Sequence, residues 1–340
     1  MKHLIGFFIF ILPNISFGQI DNFFIQNYFF QRQPSARAEA MGKGYSAMDG
    51  DLTSIFFNPA GIATIKGLEM NGSYSDLKRF PDRDRYTFGS VGFKLNDYLT
   101  VAVSRNRKRF QSFNSFSHFS NYTLTLASQP IKNLFLGLNA NYFHLESSTL
   151  NAFYFDFGAI KKFELKQLER SAHSVNLGVS ITNFNFGKVR AEDAGTVYTS
   201  NLPVITRYGV NYQYILKNSI LNDSLNAFQF LLQAEYKTLL NSPSFSGIHT
   251  GAEFNFSELI ALRMGYYREL IYGPFYNYNF IRKSFTFGLG LQLPLEKMTN
   301  LPWNLSFDYT RLPFYLPALK NFNWKNSFRV YNVRIIFFIR

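Results

Sequence analysis

The chain contains no cysteine, only two tryptophans, and no apolar run long enough to make a membrane helix. The missing cysteines exclude disulfide staples, thiol nucleophiles and thiolate metal sites together. No segment approaches the ~18 consecutive apolar residues that a helical span requires. Enzyme signatures are missing too: no Gly-x-Ser-x-Gly elbow, no His-Glu-x-x-His pair, no phosphate loop and no dinucleotide fingerprint. His118, His144, His173 and His249 are scattered singly, without metal-ligand spacing. The expectation is a non-enzymatic protein with no metal and no cofactor.

Acidic residues are scarce relative to basic ones, 22 against 35, giving a formal charge of +13. Such a balance can signal nucleic acid. Here residues 1–18 read as a secretory signal peptide: Lys2 and His3 precede an apolar core from Leu4 to Leu12, and Ser16-Phe17-Gly18 supplies small residues for cleavage before Gln19. An exported chain with dispersed Lys and Arg points away from nucleic acid. It points toward outer-membrane lipid and lipopolysaccharide phosphates.

What the chain has in excess is aromatic: 40 Phe and 21 Tyr, with Phe, Tyr and Trp making up 19% of residues. One soluble core can bury only a limited set of such rings, whereas a membrane barrel exposes them to lipid and collects them at its interfaces. From Gly67 onward about fourteen segments alternate apolar and polar residues with period two. Val204, Tyr208, Val210, Tyr212 and Tyr214 oppose Arg207, Gly209, Asn211 and Gln213. Phe285, Phe287, Leu289, Leu291 and Leu293 oppose Thr286, Gly288, Gly290 and Gln292. Segments of ten or more residues suit tilted membrane strands better than soluble ones. The fold expected is an all-β transmembrane antiparallel barrel, its apolar face toward lipid. Arg207, Glu235, Lys237, Glu253, Arg263, Asp308 and Arg334 would then line the lumen, pairing with one another and with whatever fills it.

If the first strand rises from the periplasm, the longer connections, near 105–117, 185–202, 269–282 and 312–325, fall outside the cell. Arg105, Arg107, Lys108 and Arg109 make a basic run in one of these outer loops and are the candidates for lipopolysaccharide contact. Before the strands lies a different kind of segment. Asp49 or Asp51 can cap a short helix that runs to Phe57. Asn58-Pro59-Ala60-Gly61 stops it, because Pro59 cannot continue a helix and Gly61 supplies a backbone conformation other residues resist. The division expected is a signal over 1–18, a helical hatch over 19–66 inside the lumen, and a barrel over 67–340.

The string "ARAEAMGKGYSAMDGDLTSIFFNPAGIA" (Ala36–Ala63) resembles the N-terminal signature of FadL-like outer-membrane proteins, and within them the PorV/PorQ family of the type IX secretion system. "VNLGVSITNF", "LPVITRYGVNY", "HTGAEF", "ALRMGYY", "FTFGLGL" and "LSFDYT" follow in the family's order. The resemblance implies a fourteen-stranded barrel in the outer membrane of a Gram-negative bacterium, closed by a hatch whose motif includes Asp51, Asn58, Pro59, Ala60 and Gly61. It implies docking or attachment of secreted proteins through secretion machinery or cargo. The alternative it carries is transport of a hydrophobic small molecule.

Overall fold

The computed structural model describes residues 34–338, apart from 79–82, 113–114, 147–150, 187–188, 194–195, 201, 241, 274–277, 300 and 315–322. The expected signal over 1–18 and the first part of the expected hatch lie outside the described residues. The chain begins with a short helix α1 (Ala36–Ala40), followed by two 3-10 turns at Leu52–Phe56 and Pro59–Thr64. Then come β1 (Leu68–Lys78), β2 (Arg83–Lys94), β3 (Leu99–Ser112), β4 (Ser115–Ile131), β5 (Leu134–Leu145), β6 (Asn151–Gln167) and β7 (Ser171–Phe184). A hairpin of β8 (Val189–Asp193) and β9 (Thr196–Ser200) precedes β10 (Ile205–Leu216), β11 (Phe228–Leu239), β12 (Ser242–Phe256), β13 (Ile260–Gly273) and β14 (Tyr278–Leu293). A helix α2 (Leu295–Thr299), β15 (Trp303–Phe314) and β16 (Asn323–Phe337) complete the chain.

Fourteen of these strands form one closed antiparallel barrel, with β1 pairing β16 to shut the ring; β8 and β9 pair only with each other. Each of the fourteen alternating segments is a wall strand. The face they turn outward is the apolar one: Met264 and Phe287 are each 51% exposed, while Arg263 and Asp308 are 4% and 5% exposed. A water-soluble barrel would show the opposite sense. Apolar outside and polar inside is what a wall in contact with lipid requires, because closure satisfies every backbone group within the ring.

The wall departs from expectation at one end. β3 and β4 run through most of the expected loop 105–117, and β13 and β14 through most of 269–282. Arg105, Arg107, Lys108 and Arg109 therefore stand on a strand, paired residue by residue with β2 and β4, and not in a loop. The periodic signal fades there because both faces are polar, yet the backbone ladder continues. Strand parity also divides the run. Arg105 is exposed and Arg107 and Arg109 share its outer face, whereas Lys108 turns inward and is buried, which removes it from the lipid-facing group.

Residues 34–65 pack inside the lumen. The longest connection, residues 185–204 with the β8–β9 hairpin, lies at the end opposite to the start of β1 and the finish of β16. Long connections mark the outer side of such barrels, so the lumen segment enters β1 from the periplasmic side.

Candidate functional site

The lumen segment, here called the hatch, is held along its whole length by the inner wall. Its local structure follows from two side-chain caps. Asp51 has extended backbone and its carboxylate accepts from Thr53 N at 2.7 Å, opening the first 3-10 turn. Asn58 plays the same part for the second, its Oδ1 accepting from Ala60 N at 3.1 Å, with Pro59 at the first position. The expected single helix halted by Asn58–Gly61 is thus two tight turns, with Asn58 ending one and starting the next. Gly61 has no left-handed backbone. It is needed for space, because a Cβ there would strike the Met48 carbonyl and the Ser54 side chain.

Asn58 is the most connected residue of the motif. Its Nδ2 donates to Ser46 O at 2.7 Å within the hatch, and reaches Ala159 O at 3.1 Å and Val179 O at 3.2 Å on the wall. It comes this close because the wall is bare beneath it: Gly137 and Gly158 are cross-strand partners, and a Cβ on either would overlap Asn58, Pro59 or Ala60. The same device recurs where Gly251 pairs Gly265 under Met41 and Gly42. Sequence reasoning placed Gly209, Gly288 and Gly290 on the polar face without giving them a task. Their period-two placement among lumen-facing positions was the available signal.

Arg207, Glu235, Lys237, Glu253, Arg263 and Asp308 are all buried on the inner face of the wall. The structure joins most of them to the hatch. Arg37 of α1 grips Glu253 in a fork, Nε to Oε2 at 2.8 Å and Nη2 to Oε1 at 2.7 Å, and also touches Asp51 at 3.3 Å. Arg263 binds the same Glu253 and continues to Asp308 Oδ1 at 2.7 Å. From the other side Arg334 of β16 donates to the Gly50 carbonyl at 2.6 Å and to Glu69 at 2.9 Å. One chain of charges therefore runs Asp308–Arg263–Glu253–Arg37–Asp51, with Arg334 and Glu69 beyond. Glu235 does separate work, its Oε2 accepting from Tyr45 N at 2.9 Å and Ser46 N at 2.8 Å. Lys237 joins Glu269, which also binds Arg282. Arg334 was among the charges expected to bond the hatch, whereas Glu69 and Glu269, which complete these networks, were not.

Burial alone would raise the Asp51 carboxyl, but Arg334 and Arg37, together with the bonds from Thr53 N and Tyr45 OH, hold it well below the usual carboxylate range. Glu39 goes the other way: burial raises it, and Lys43 offsets only part of that. Among the described residues no three His, Asp or Glu side chains gather in a metal-holding group. The carboxylates are committed to guanidinium, ammonium or backbone partners, so what the arrangement can do is hold or release a plug.

Beside α1 the wall has a seam. Among the described residues the β14–β15 ladder carries seven pairs, the outermost being Phe287 opposite Arg311, whereas β13 and β14 are paired out to Gly273 opposite Tyr278. The hatch bridges the two strands beside that outermost pair: Thr310 Oγ1 donates to Ala36 O and Thr286 Oγ1 to Ala40 O, each at 2.7 Å. On the lipid side the lip of this seam carries Phe285 and Phe287, both exposed.

No family model matches the chain, and no curated protein matches it in sequence. Solved structures do share its form. The toluene transporter TodX of Pseudomonas putida aligns over 89% of this chain and 97% of its own, with 9% identity and a TM-score of 0.50. The toluene transporter TbuX of Ralstonia pickettii covers 92% of this chain and 100% of its own at 11% identity and a TM-score of 0.49. A Pseudomonas aeruginosa FadL homologue covers 89% and 98% at 10% identity and 0.48. At these identities the likeness is one of fold. The class is a hatch-filled, closed fourteen-stranded antiparallel barrel with an apolar outer face, and its structural neighbours are FadL-like barrels.

Proposed function

We propose that the chain is a non-enzymatic barrel of the Gram-negative outer membrane that passes a hydrophobic small molecule, with the hatch as its gate. The observation that carries this reading is the seam between β14 and β15 above α1. A hydrophobic molecule gains most by leaving a barrel sideways into lipid, and a short ladder flanked by Phe285 and Phe287 offers such a path. α1 meets the two seam strands through the Ala36–Thr310 and Ala40–Thr286 hydrogen bonds, so a shift of the hatch there changes access without unravelling the ring.

A second reading is docking of secreted proteins in the manner of PorV/PorQ barrels, with partners in secretion machinery or cargo. It is favoured by the wording of the hatch string and by the charge network, which suits a permanently shut plug. Transport is the better supported of the two, because the toluene transporter TodX shares the fold and the wall has a seam.

The absence of cysteine makes one experiment clean. Thr310 Oγ1 donates to Ala36 O at 2.7 Å between wall and α1, so an Ala36→Cys/Thr310→Cys pair should form a reducible tether across the releasable part of the hatch. With the tether closed, uptake of a hydrophobic probe such as toluene by whole cells should fall, and a reductant should restore it. Uptake indifferent to the tether, together with loss of surface-attached proteins on deletion of the gene, would replace transport by docking.

A further inference from the structure

On the outer half of the wall, three cross-strand pairs set like charges face to face. Arg85 is opposite Arg109 on β2 and β3, Arg329 opposite Arg311 on β16 and β15, and Arg268 opposite Lys283 on β13 and β14. All six are on the lipid-facing parity, since the residue beside each (Tyr86, Lys108, Val330, Leu312, Tyr267 or Ser284) is buried. Like charges directly opposite one another weaken a sheet. Asp76 stands in register between Arg85 and Arg329 and offsets one charge of the row that runs from Arg109 to Arg311. The arrangement is a cost to the folded wall unless an outside anion meets it.

Height on the wall says which anion. Each of the six lies eight to ten residues from the periplasmic end of its strand. At the rise of a tilted strand this is about 20–25 Å, the height of a whole apolar band. The layers beneath agree. Two residues inward on the same face come Tyr266, Tyr309 and Tyr331, and two farther come Met264, Phe307 and Val333, all three exposed. Tyrosines collect at the membrane–water interface, so the cations stand at the headgroups of the outer leaflet. At the same count of residues β11 and β12 turn out Tyr236 and Ile248, then Thr238 and Ser246, none of them charged. The cations are grouped instead around the closure of the ring. Of the run that begins at Arg105, Arg109 belongs to a pair, and Arg107 binds Glu146 at 2.9 Å.

We infer that the like-charged pairs are phosphate seats for lipopolysaccharide, one phosphate between Arg85 and Arg109 and a second between Arg311 and Arg329. Guanidinium forks match phosphate oxygens in pairs, and an anion between two opposed arginines turns one repulsion into two attractions. The two seats are three strand spacings apart, about 14 Å. A disaccharide phosphorylated at both ends spans that distance, and its acyl chains descend over the tyrosines and aliphatic side chains below. A phospholipid carries a single phosphate diester and leaves the other pair opposed. The inference rests on the outer-membrane reading and not on the choice between transport and docking.

The test uses the full chain, recovered folded from outer membranes in mild detergent, with native mass spectrometry to count bound lipid. Recovery from that membrane fraction and the heat-dependent gel shift of an intact barrel check placement and folding apart from lipid binding. Wild type should retain lipopolysaccharide, and Arg85→Gln/Arg109→Gln should lower its occupancy about tenfold, as expected for loss of charge-assisted bonds. Arg311→Gln/Arg329→Gln, which empties the other seat, should lower it to a similar extent. Lys166→Gln, at an exposed lysine near the periplasmic end of β6, should leave it unchanged. In a second arm, delipidated wild type is offered lipopolysaccharide, the same lipid stripped of one phosphate, or phosphatidylglycerol, and binding should weaken in that order. Full retention by either double variant, an equal loss in Lys166→Gln, or binding of either competitor as tight as that of lipopolysaccharide would each overturn the assignment.

Discussion

The two halves of the hatch are held by different physics. The first half, from Ser35 to Tyr45, sits against β11–β16 through guanidinium–carboxylate forks, hydroxyl-to-carbonyl bonds and Glu235. The second, from Leu52 to Ile65, buries Leu52, Ile55, Ala60, Ile62 and Ile65 against Ala102, Ala127, Phe135 and Ile160. Apolar packing is insensitive to salt and mild acid, whereas charge pairs in a lumen respond to both. The second half is therefore the anchor, and the first is the half that can be released. The seam in the wall lies beside the releasable half.

The strongest way to break this asymmetry is to remove a charge that joins the halves. Arg334→Ala leaves Glu69 buried without its guanidinium and takes a partner from Asp51 and from the Gly50 carbonyl. The expected loss is about 3–5 kcal/mol, read as a lowered unfolding temperature of the barrel in detergent. Next comes the anchor itself. Asn58→Asp keeps the shape and the cap but removes donors to Ser46, Ala159 and Val179, which should cost about 1–3 kcal/mol. Limited proteolysis should then cut near Asn58 before it cuts near Arg37, reversing the wild-type order.

Acid should sharpen the comparison more gently. Asp51 is held below the ordinary carboxylate range, so its stabilising contribution is present above about pH 4 and fades as pH falls toward its depressed folded value. Glu39 is raised, so its contribution is complete below that range and fades as pH rises through the raised value. Protection of the first half against protease should weaken in acid, and Asp51→Asn should flatten that limb. Glu39→Gln should flatten the opposite one. The smallest effect is expected at the rim of the anchor. Lys162 meets Asp49 at 3.3 Å with both side chains partly exposed, so Lys162→Ala should cost no more than about 1 kcal/mol. A larger loss would mean that the anchor also depends on charge.

The wall was legible in the sequence because a strand facing lipid on one side and a packed lumen on the other must alternate, and each of fourteen segments did. The inward position of Arg207, Glu235, Lys237, Glu253, Arg263 and Asp308 follows from the same parity. What alternation could not supply was the partner across the lumen. Arg37 and Glu253 are 216 positions apart, and no local pattern links them. The outer ends of β3 and β4 escaped because polar residues occupy both faces, so Arg105 and Lys108 looked like neighbours in a loop when they point to opposite sides of a wall. The 3-10 turns were misread as one helix because Asp51 and Asn58 are both good caps, and only their separation distinguishes one cap with a stop from two caps in succession.

The reach of Arg334 to the Gly50 carbonyl bears on how the molecule is built. Arg334 belongs to the strand that meets β1 to shut the ring, and its partner is a backbone oxygen of the plug. The hatch is made first in the chain, and its outline is impressed on the glycine pairs of strands made later. Closing the ring and seating the plug therefore share one side chain, and neither is complete in the folded molecule without the other. A barrel deprived of residues 34–65 would lack the form it is moulded on, not merely its stopper.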